Sequence, residues 1–429
     1  MKLNNRGVVK TTYAVIAIVI IVAAAIAAIY IPKLMTPPAP VKDVIKVGLS
    51  LSLSGGFASP SQRQLWGALM WLEDVNAKGG IYVADLGKTL KVDLVYYDDR
   101  GDSATATRLY ERLITEDKVD ILMGPYGSGT AMAVSPVAEK YGIPMINQMG
   151  ASDAIPKAGF NNVFTVIAVT SEFALSRVEL MSQLAKLTPS TSTFGILTSN
   201  ELYPLTVANP TKSLLENKGY KSVFWEEYPR GLTDFSAVLL RAKTANPDFF
   251  YMVCYPADAF VAMRQMKDIN FAPKLVMFDD GPNDPQFVPV FGKDAEGVTT
   301  QMSWTWYLPF PEVKNFTARF LERYGENPRH WSSMPYAAGE IMAYAIQKAG
   351  TLQPDKVRVA LTQLQDAMTL VGPVTFGDWT SPMGDKLHNI NMRANNYVLQ
   401  IQGGTMTVIT PASYAGAGIV YPWHPSWAS

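Results

Sequence analysis

A glycine-rich loop carries the clearest chemical signal in the chain. It reads GPYGSGT at positions 124–130, after an apolar run at 119–123 and before a helical pattern at 131–141. A strand-to-helix turn of this kind leaves backbone N–H groups without intrahelical partners, and the hydroxyl of Ser128 adds a further donor. The loop therefore predicts a cradle for a carboxylate, with capping of the helix by Ser128 as the structural alternative.

Phosphate, metal and catalytic motifs are missing from the sequence. No lysine follows the glycines of the loop, and Ala131, Met132 and Ala133 stand where a third dinucleotide-binding glycine could fall. The three histidines are far apart, the single thiol is that of Cys254, and no Gly-x-Ser-x-Gly elbow occurs. The sequence thus predicts no cofactor, no metal and no enzymatic activity.

Charge and cysteine content narrow the possible classes of protein. The 429 residues carry 37 basic and 37 acidic side chains, a balance that argues against a nucleic-acid surface. One cysteine permits no internal disulfide. The part of the chain after residue 43 is longer than one hydrophobic core usually serves, so two lobes are expected.

The N-terminus contains a candidate membrane segment. Residues 13–31 form an uninterrupted uncharged run, and a helix of that length would extend about 28 Å, enough to cross a bilayer. Three basic residues and no acidic one precede it, so residues 1–12 are predicted to stay in the cytoplasm and the remaining chain to lie outside. Residues 32–43 include the sequence PPAP and predict a stiff linker.

The fate of the apolar segment has three interpretations, two from the residues themselves and a third from a family resemblance. We predict that it is retained as a transmembrane helix, but Ala25-Ile26-Ala27 also offers the small-x-small pattern that a signal peptidase cuts. Cleavage there would give a secreted or periplasmic protein. A lipoprotein anchor is excluded, because no cysteine follows the apolar run closely.

From residue 42 onward, short apolar or β-branched runs alternate with helical patterns. A first series predicts strands at 45–51, 90–97, 119–123, 144–147 and 163–166, and helices at 62–77, 104–115 and 131–141. A second series predicts helices at 172–186, 206–218, 235–244 and 257–267, and strands at 193–197, 222–228, 249–253 and 274–278. Strands separated by helices form parallel sheets, so we expect an α/β protein with two doubly wound lobes.

The loops that follow the strands are the expected places for a ligand, because open parallel sheets bind ligands beyond the carboxyl ends of their strands. The predicted loops are 52–60, 124–130, 147–154, 200–204, 254–256 and 279–284. Candidate ligand contacts in the first three are Ser54, Phe57, Tyr126, Gly129 and Gly150.

Several short phrases, taken together in this order, resemble the periplasmic solute-binding proteins of the branched-chain amino acid (Leu/Ile/Val) ABC transporter family. The similarity extends from about Val44 to the C-terminus. It rests on LSG at 53–55, DVNAKGGI at 74–81, YDD at 97–99, GPY at 124–126 with Ser128, TDFS at 233–236, RQM at 264–266 and GPVTF at 372–376.

The resemblance implies a type I periplasmic-binding-protein fold. In that fold the chain crosses three times between two lobes, and the crossings form a hinge about which the lobes close on a ligand. Lobe one is then expected to comprise residues 44–167 and 301–372. Lobe two is expected to comprise residues 168–300 and 373–429.

The resemblance also implies particular ligand contacts. Ser128 matches the serine that binds the ligand carboxylate, and Ser152 matches a second hydroxyl residue that does so. Tyr203 and Tyr255 match two aromatic residues of lobe two that cover the ligand, and Asp280 matches the acid that pairs with its α-amino group. A zwitterion needs donors at one end and a carboxylate at the other, which agrees with this division between the lobes.

Two alternatives concern the acid. Asp279 competes with Asp280 for the role, and Asp280 could instead cap the turn at Gly281-Pro282.

The predicted function is an exported, membrane-tethered receptor that captures a branched-chain or other amino acid and delivers it to ABC permease subunits. Amides, urea and aromatic or organic acids are alternative ligands, and a ligand-sensing ectodomain that acts through a partner is the alternative role. Arg6-Gly7 resembles the pilin-type signal of some archaeal solute-binding proteins, which implies cleavage after Gly7 with the helix retained.

Overall fold

The computed structural model describes residues 42–427. The predicted cytoplasmic segment 1–12, the predicted membrane helix 13–31 and nearly all of the predicted linker 32–43 lie outside these residues. Between residues 42 and 427, no helix combines the length and the apolar character that a bilayer crossing requires. Strands and helices are numbered along the chain.

Lobe one contains an eight-stranded, mostly parallel sheet. Its strands are β1 (Val44–Leu51), β2 (Ile81–Val83), β3 (Lys88–Asp98), β4 (Ile121–Met123), β5 (Met145–Asn147), β6 (Val163–Thr165), β14 (Phe376–Thr380) and β15 (Lys386–Asn391). Their order across the sheet is β14-β15-β6-β5-β4-β1-β3-β2. Its helices are α1 (Ala58–Ala77), α2 (Ser103–Thr115), α3 (Ser128–Tyr141), α4 (Ala154–Lys157), α10 (Val313–Tyr324), α11 (His330–Ala349) and α12 (Pro354–Thr362).

Lobe two contains a seven-stranded sheet. Its strands are β7 (Thr193–Ser199), β8 (Lys221–Tyr228), β9 (Phe249–Val253), β10 (Leu275–Phe278), β11 (Thr299–Met302), β16 (Tyr397–Gln402) and β17 (Thr405–Thr410). Their order is β17-β16-β11-β10-β9-β7-β8. Its helices are α5 (Thr170–Leu187), α6 (Leu202–Asn217), α7 (Ser236–Ala245), α8 (Pro256–Asp268) and α9 (Phe287–Phe291). A separate two-stranded ladder joins β12 (Ala367–Thr369) to β13 (Gly372–Val374).

The two predicted doubly wound lobes are confirmed, with element ends that shift by a few residues. Asp102 is the N-cap of α2, and its carboxylate accepts the N–H of Thr105 at 2.7 Å. Helix α6 begins four residues before its predicted start, because Pro204 fits a first helical turn, where no N–H is needed. Tyr203 therefore lies on a helix rather than in a loop.

The chain passes between the lobes after β6, after β11 and after β15. The expected boundary at residue 372 differs from the structure, because β14 and β15 complete the sheet of lobe one. Phe376 pairs with Asn391 in an antiparallel hairpin, and Ile390 pairs with Thr165 of β6. The sequence pattern at 372–376 thus starts a hairpin that widens lobe one, and the third crossing follows Asn391. Likewise, lobe one resumes after β11 rather than at residue 301.

Helix α11 is held in place by close packing on α1. A Cβ added to Gly339 would lie 2.0 Å from the indole of Trp71, and one added to Gly67 would lie 1.9 Å from the carbonyl oxygen of Ser332. Only glycine permits this approach. The contact fixes the first turn of α11, which begins at His330, at the cleft between the lobes.

Candidate ligand-binding site

A cavity lies between the lobes, among the loops that follow the strands of both sheets. Its volume, taken as the space open to the centre of a water molecule, is about 30 Å³. The residues that line it are Tyr126, Gly127, Ser128, Met149, Ala151, Ile167, Phe173, Tyr203, Tyr255, Asp280, Gln301, Met302, Ser303, His330, Trp331 and Asn396.

Ser128 lines the cavity as the first residue of α3. Gly127 occupies the N-cap position with φ of 86°, so the structure does not use Ser128 as the cap. The Ser128 Oγ accepts the backbone N–H of Ser152 at 3.0 Å, which leaves its own proton available. The first intrahelical bond runs from the N–H of Ala131 to Gly127, so the preceding N–H groups are also available. An anion at this helix start would find several donors.

Asp280 lines the same cavity from lobe two. The hydroxyl of Tyr126, on lobe one, donates to Oδ2 at 3.2 Å, and the amide of Asn283 donates to Oδ1 at 2.9 Å. Burial raises the pKa of Asp280 to about 7 and the charge of Asp279 adds to the rise, while the hydrogen bonds from Asn283 and Tyr126 oppose it. The carboxyl group is therefore poised to gain a cationic partner.

Within the described residues, His330 is the candidate for that partner, but it does not form an ion pair with Asp280. Its Nε2 lies 4.0 Å from Oδ1 of Asp280, beyond hydrogen-bond length. Burial lowers the pKa of His330 to about 3, with the charge of Arg329 acting in the same direction, so the imidazole is neutral. Among residues 42–427, no charged basic side chain pairs with Asp280.

Asp279 is committed to the core of lobe two. Its carboxylate lies 2.5 Å from Nη2 of Arg177, and both side chains are fully buried. The hydroxyls of Tyr251 and Tyr203 donate to the same carboxylate at 2.5 and 3.0 Å. Asp279 therefore holds Tyr203 against the cavity, and only Asp280 of the two acids faces the cavity.

Aromatic side chains from both lobes form the cavity wall. The ring centroids of Tyr203 and Tyr255 lie 5.9 Å apart, and those of Tyr126 and Tyr255 lie 6.3 Å apart. Burial raises the pKa of all three tyrosines well above the ordinary value, so their hydroxyls stay neutral. Flat apolar faces with hydroxyl edges suit a ligand that is partly apolar and partly polar.

Three predicted contacts lie behind the cavity wall or away from it. Ser54 is exposed and donates to Asp98 at 2.9 Å. The N–H of Gly150 donates to Oδ1 of Asn147 at 2.9 Å, within the loop after β5. Ser152 is fully buried and touches the cavity only through its hydrogen bond to the cavity serine.

Two further predicted contacts lie beside the cavity and do not line it. Phe57 and Gly129 line a neighbouring depression, together with Arg230 of lobe two. The Phe57 ring packs on Tyr255 at a centroid distance of 4.7 Å, and Cζ of Arg230 lies 4.5 Å from its centre. Phe57 thus joins the lobes next to the cavity that holds Asp280.

Sequence reasoning missed six polar or aromatic residues of the cavity wall: Phe173, Gln301, Ser303, His330, Trp331 and Asn396. Strand β11 reads Thr-Thr-Gln-Met and has no apolar alternation, so it was not predicted as a strand. The strand is buried nevertheless, because its threonines bond to neighbouring backbone; Thr300 donates to the carbonyl of Asp279 at 2.7 Å. No sequence signal placed the hinge or the start of α11 beside the ligand loops.

Comparisons with known proteins identify relatives along nearly the whole chain. Residues 44–395 match the family model described as periplasmic binding protein. The Leu/Ile/Val-binding protein homolog 7 of Brucella suis is 24% identical over 409 residues, which cover 92% of this chain and 98% of the relative. The resemblance that the sequence phrases suggested is confirmed.

Solved structures share the fold. A branched-chain amino acid transporter substrate-binding protein from Streptococcus pneumoniae, in complex with isoleucine, aligns with a TM-score of 0.72 and 21% identity, covering 89% of this chain and 100% of that one. A solute-binding protein of an ABC transporter from R. palustris, in complex with benzoate, aligns with a TM-score of 0.71 and 19% identity, covering 87% of this chain and 98% of that one.

Two α/β lobes, three crossings and a closed cavity at the hinge define a solute-binding protein of the clamshell type. The family match extends over most of the chain. This protein belongs to the periplasmic binding protein family.

Proposed function

We propose that this protein is the extracytoplasmic substrate-binding component of an ABC importer and that it captures an amino acid by closure of its two lobes. One observation carries the proposal: Ser128 on lobe one and Asp280 on lobe two line the same cavity. The donors suit an α-carboxylate and the acid suits an α-ammonium group.

The donors at Ser128 and the acid Asp280 lie on different lobes, which links ligand binding to closure of the lobes. A zwitterion gains both sets of contacts only when the lobes meet, and a ligand shifts a conformational equilibrium only through such differential affinity. Charge-assisted hydrogen bonds contribute about 1.5 to 3 kcal/mol each, so the two poles set the class of ligand more strongly than the apolar wall does. Tyr203 and Tyr255 would cover the bound molecule, and Ser152 would support the carboxylate through Ser128.

The partners follow from the class of protein. One structural neighbour is named as a solute-binding protein of an ABC transporter, which supports delivery to ABC permease subunits, and the uncharged run at 13–31 supports a membrane tether at the N-terminus. A receptor of this kind binds and releases its ligand unchanged, so we expect no catalytic activity. Aromatic acids, which one structural neighbour binds, lack the ammonium group that Asp280 would pair with.

The decisive variant is Asp280→Asn, which keeps the shape of the side chain and removes its charge. Isothermal titration of the full-length chain in detergent with a panel of amino acids should identify a ligand, and Asp280→Asn should weaken that ligand at least tenfold, because the ammonium loses its counter-ion. Benzoate serves as the aromatic-acid comparison.

The matched control is Asp294→Asn. Asp294 is another buried aspartate of lobe two, bonded to Lys267 and Ser426 and outside the cavity. The control should leave affinity unchanged. Equal affinity in the wild type and Asp280→Asn, or binding of benzoate in preference to every amino acid, would remove the acid from the proposed role.

A further inference from the structure

Four buried polar side chains of the cavity wall have hydrogen-bonding groups without partners. Within the described part of the chain, nothing bonds to Oε1 of Gln301, Nδ1 of His330, Nε1 of Trp331 or either amide atom of Asn396. All four residues line the cavity, and none is more than 8% exposed. We call them the hinge cluster. Buried polar groups nearly always have hydrogen-bond partners in proteins, so the lack of partners within the hinge cluster indicates a polar ligand.

The hinge cluster is assembled by the crossing segments and the first turn of α11. Strands β11 and β16 pair antiparallel with Met302 opposite Tyr397. The same register brings Ser303 beside Asn396 as the two strands leave the sheet. The tight contact between α1 and α11 adds His330 and Trp331 from lobe one. The cluster therefore belongs to the back of the cleft, where the lobes join.

The hinge cluster also adjoins the proposed ammonium site. The amide of Asn283 donates to Oδ1 of Asp280 at 2.9 Å and to the backbone carbonyl of Gln301 at 2.9 Å. Nε2 of Gln301 donates to the hydroxyl of Tyr203 at 2.8 Å, which fixes its amide and leaves Oε1 as the open acceptor. An amino acid held at Asp280 would extend its side chain beside these groups.

The hinge cluster carries no charge. The imidazole of His330 is neutral, and the neighbouring guanidinium of Arg329 points elsewhere: it donates to the carbonyl of Asn283 at 3.1 Å and lies 4.6 Å from the ring of Trp306. Arg329 is not among the cavity-lining residues. A second charge on a ligand would therefore be buried without a counter-ion, which is costly.

The open groups include both donors and acceptors. Asn396 and Trp331 offer N–H groups, while Gln301 and Asn396 offer carbonyl oxygens. A carboxamide side chain can form hydrogen bonds with both the donors and the acceptors. A hydroxyl group can form fewer such bonds, and an aliphatic side chain can form none. Loss of a hydrogen-bonding group from a ligand leaves the matching buried groups of the site unpaired, and such sites discriminate strongly.

We propose that the hinge cluster recognises the side chain of the ligand and selects an amino acid with an uncharged hydrogen-bonding side chain, best a carboxamide, over an aliphatic one. This inference rests on the proposed function, because it takes the α-amino and α-carboxylate groups to be held by Asp280 and Ser128. It assigns Gln301, Asn396, His330 and Trp331 the role of specificity-determining residues.

Paired ligands of similar shape test the proposal on the full-length chain in detergent. Isothermal titration should show asparagine binding at least tenfold tighter than leucine, and threonine tighter than valine, with aspartate weaker than asparagine. Asn396→Leu should reduce the asparagine-to-leucine preference at least tenfold. Asn162→Leu is the control, because Asn162 is also buried with an unpartnered oxygen but lies outside the cavity.

The outcomes separate this inference from the proposed function. Leucine bound as tightly as asparagine would mean that water alone satisfies the hinge cluster, and this overturns the inference while the proposed function stands. Aspartate bound as tightly as asparagine would overturn the requirement for an uncharged group. If no amino acid of the panel binds, the proposed function itself fails. The ligand preference of the wild type decides the matter even if Asn396→Leu does not fold.

Discussion

At the scale of single residues, two adjacent aspartates have different surroundings. Asp279 is paired with a buried arginine, whereas Asp280 has only neutral hydrogen-bond partners, Tyr126 and Asn283, and a raised pKa. Sequence alone left the choice between them open, because it cannot tell which side chain of a strand-end pair points into a cleft. In the structure Arg177 pairs with Asp279 while Asp280 lines the cavity, and no sequence pattern linked Arg177 to this loop.

The raised pKa of Asp280 predicts that ligand binding releases a proton. Burial raises the pKa from 3.8 to about 7, so in this closed form the group holds a proton at pH 6 that an ammonium partner must displace. His330 stays neutral and supplies none. Titration of the identified amino acid in buffers of different ionisation enthalpy should show release of nearly one proton at pH 6 and almost none at pH 8.

The raised pKa of Asp280 also determines how the stability of the ligand-free protein changes with pH. Between pH 3.8 and about 7 the closed form binds a proton that the unfolded chain has lost, so the free energy of unfolding should fall as pH rises through this window. Asp280→Asn should abolish the proton release and reduce that slope. Glu172, Glu340 and Asp258 contribute to the slope with the same sign, because burial raises the pKa of each. Heats at pH 6 that do not depend on the buffer would contradict this prediction.

At the scale of elements, the predictable part of the fold is its alternating pattern. Strand β9 is a continuous apolar run, strand β1 alternates apolar residues with Lys46, Gly48 and Ser50, and helices such as α2 have a clear polar face, so local sequence patterns reveal them. Strand β11 and the hairpin β14–β15 were not predicted, because their pairing depends on partners distant in sequence. Gln301 and Asn396 were missed for the same reason: only the register between β11 and β16 brings them to the cavity.

The buried network around Asp279 predicts a large effect on stability. It ties α5 (Arg177), α6 (Tyr203) and β9 (Tyr251) to the end of β10. Asp279→Asn would leave the guanidinium of Arg177 buried without a counter-charge, which typically costs about 3 to 5 kcal/mol. Urea denaturation should show the loss, whereas Asp280→Asn should cause none. Equal stability of the wild type and Asp279→Asn would contradict this account of the network.

At the scale of the whole molecule, the lobes meet in a closed arrangement held by several bridging contacts. Besides Tyr126 and Asp280, the hydroxyl of Ser59 on lobe one donates to Asp284 on lobe two at 2.6 Å. The relative positions of these groups depend on the three crossings, so the sequence indicated two lobes and the loops where a ligand is expected but not which side chains meet across the cleft. Phe57 illustrates the difference: it lies in a predicted ligand loop and contacts the other lobe instead.

Phe57→Ala should therefore change closure without changing specificity. Its ring contacts Tyr255 and Arg230 of lobe two and does not line the cavity that holds Asp280. Loss of one aromatic pair and one cation–π contact is worth about 1 to 2 kcal/mol, and these contacts between lobes are lost when the lobes part. The ratio of closed to open protein falls by the corresponding factor of roughly 5 to 30, and the apparent affinity for every ligand should fall by up to the same factor.

The ratio of the affinities for two ligands distinguishes an effect of Phe57 on closure from a direct contact between Phe57 and the ligand. Because Phe57 acts on the closed state that all ligands share, titration of the variant should weaken asparagine and leucine by the same factor. Small-angle X-ray scattering of the ligand-free variant should show a larger radius of gyration than that of the wild type, and saturating ligand should restore the smaller value. A change in the asparagine-to-leucine ratio would instead place the Phe57 ring against the ligand, and an unchanged radius would exclude it from control of closure.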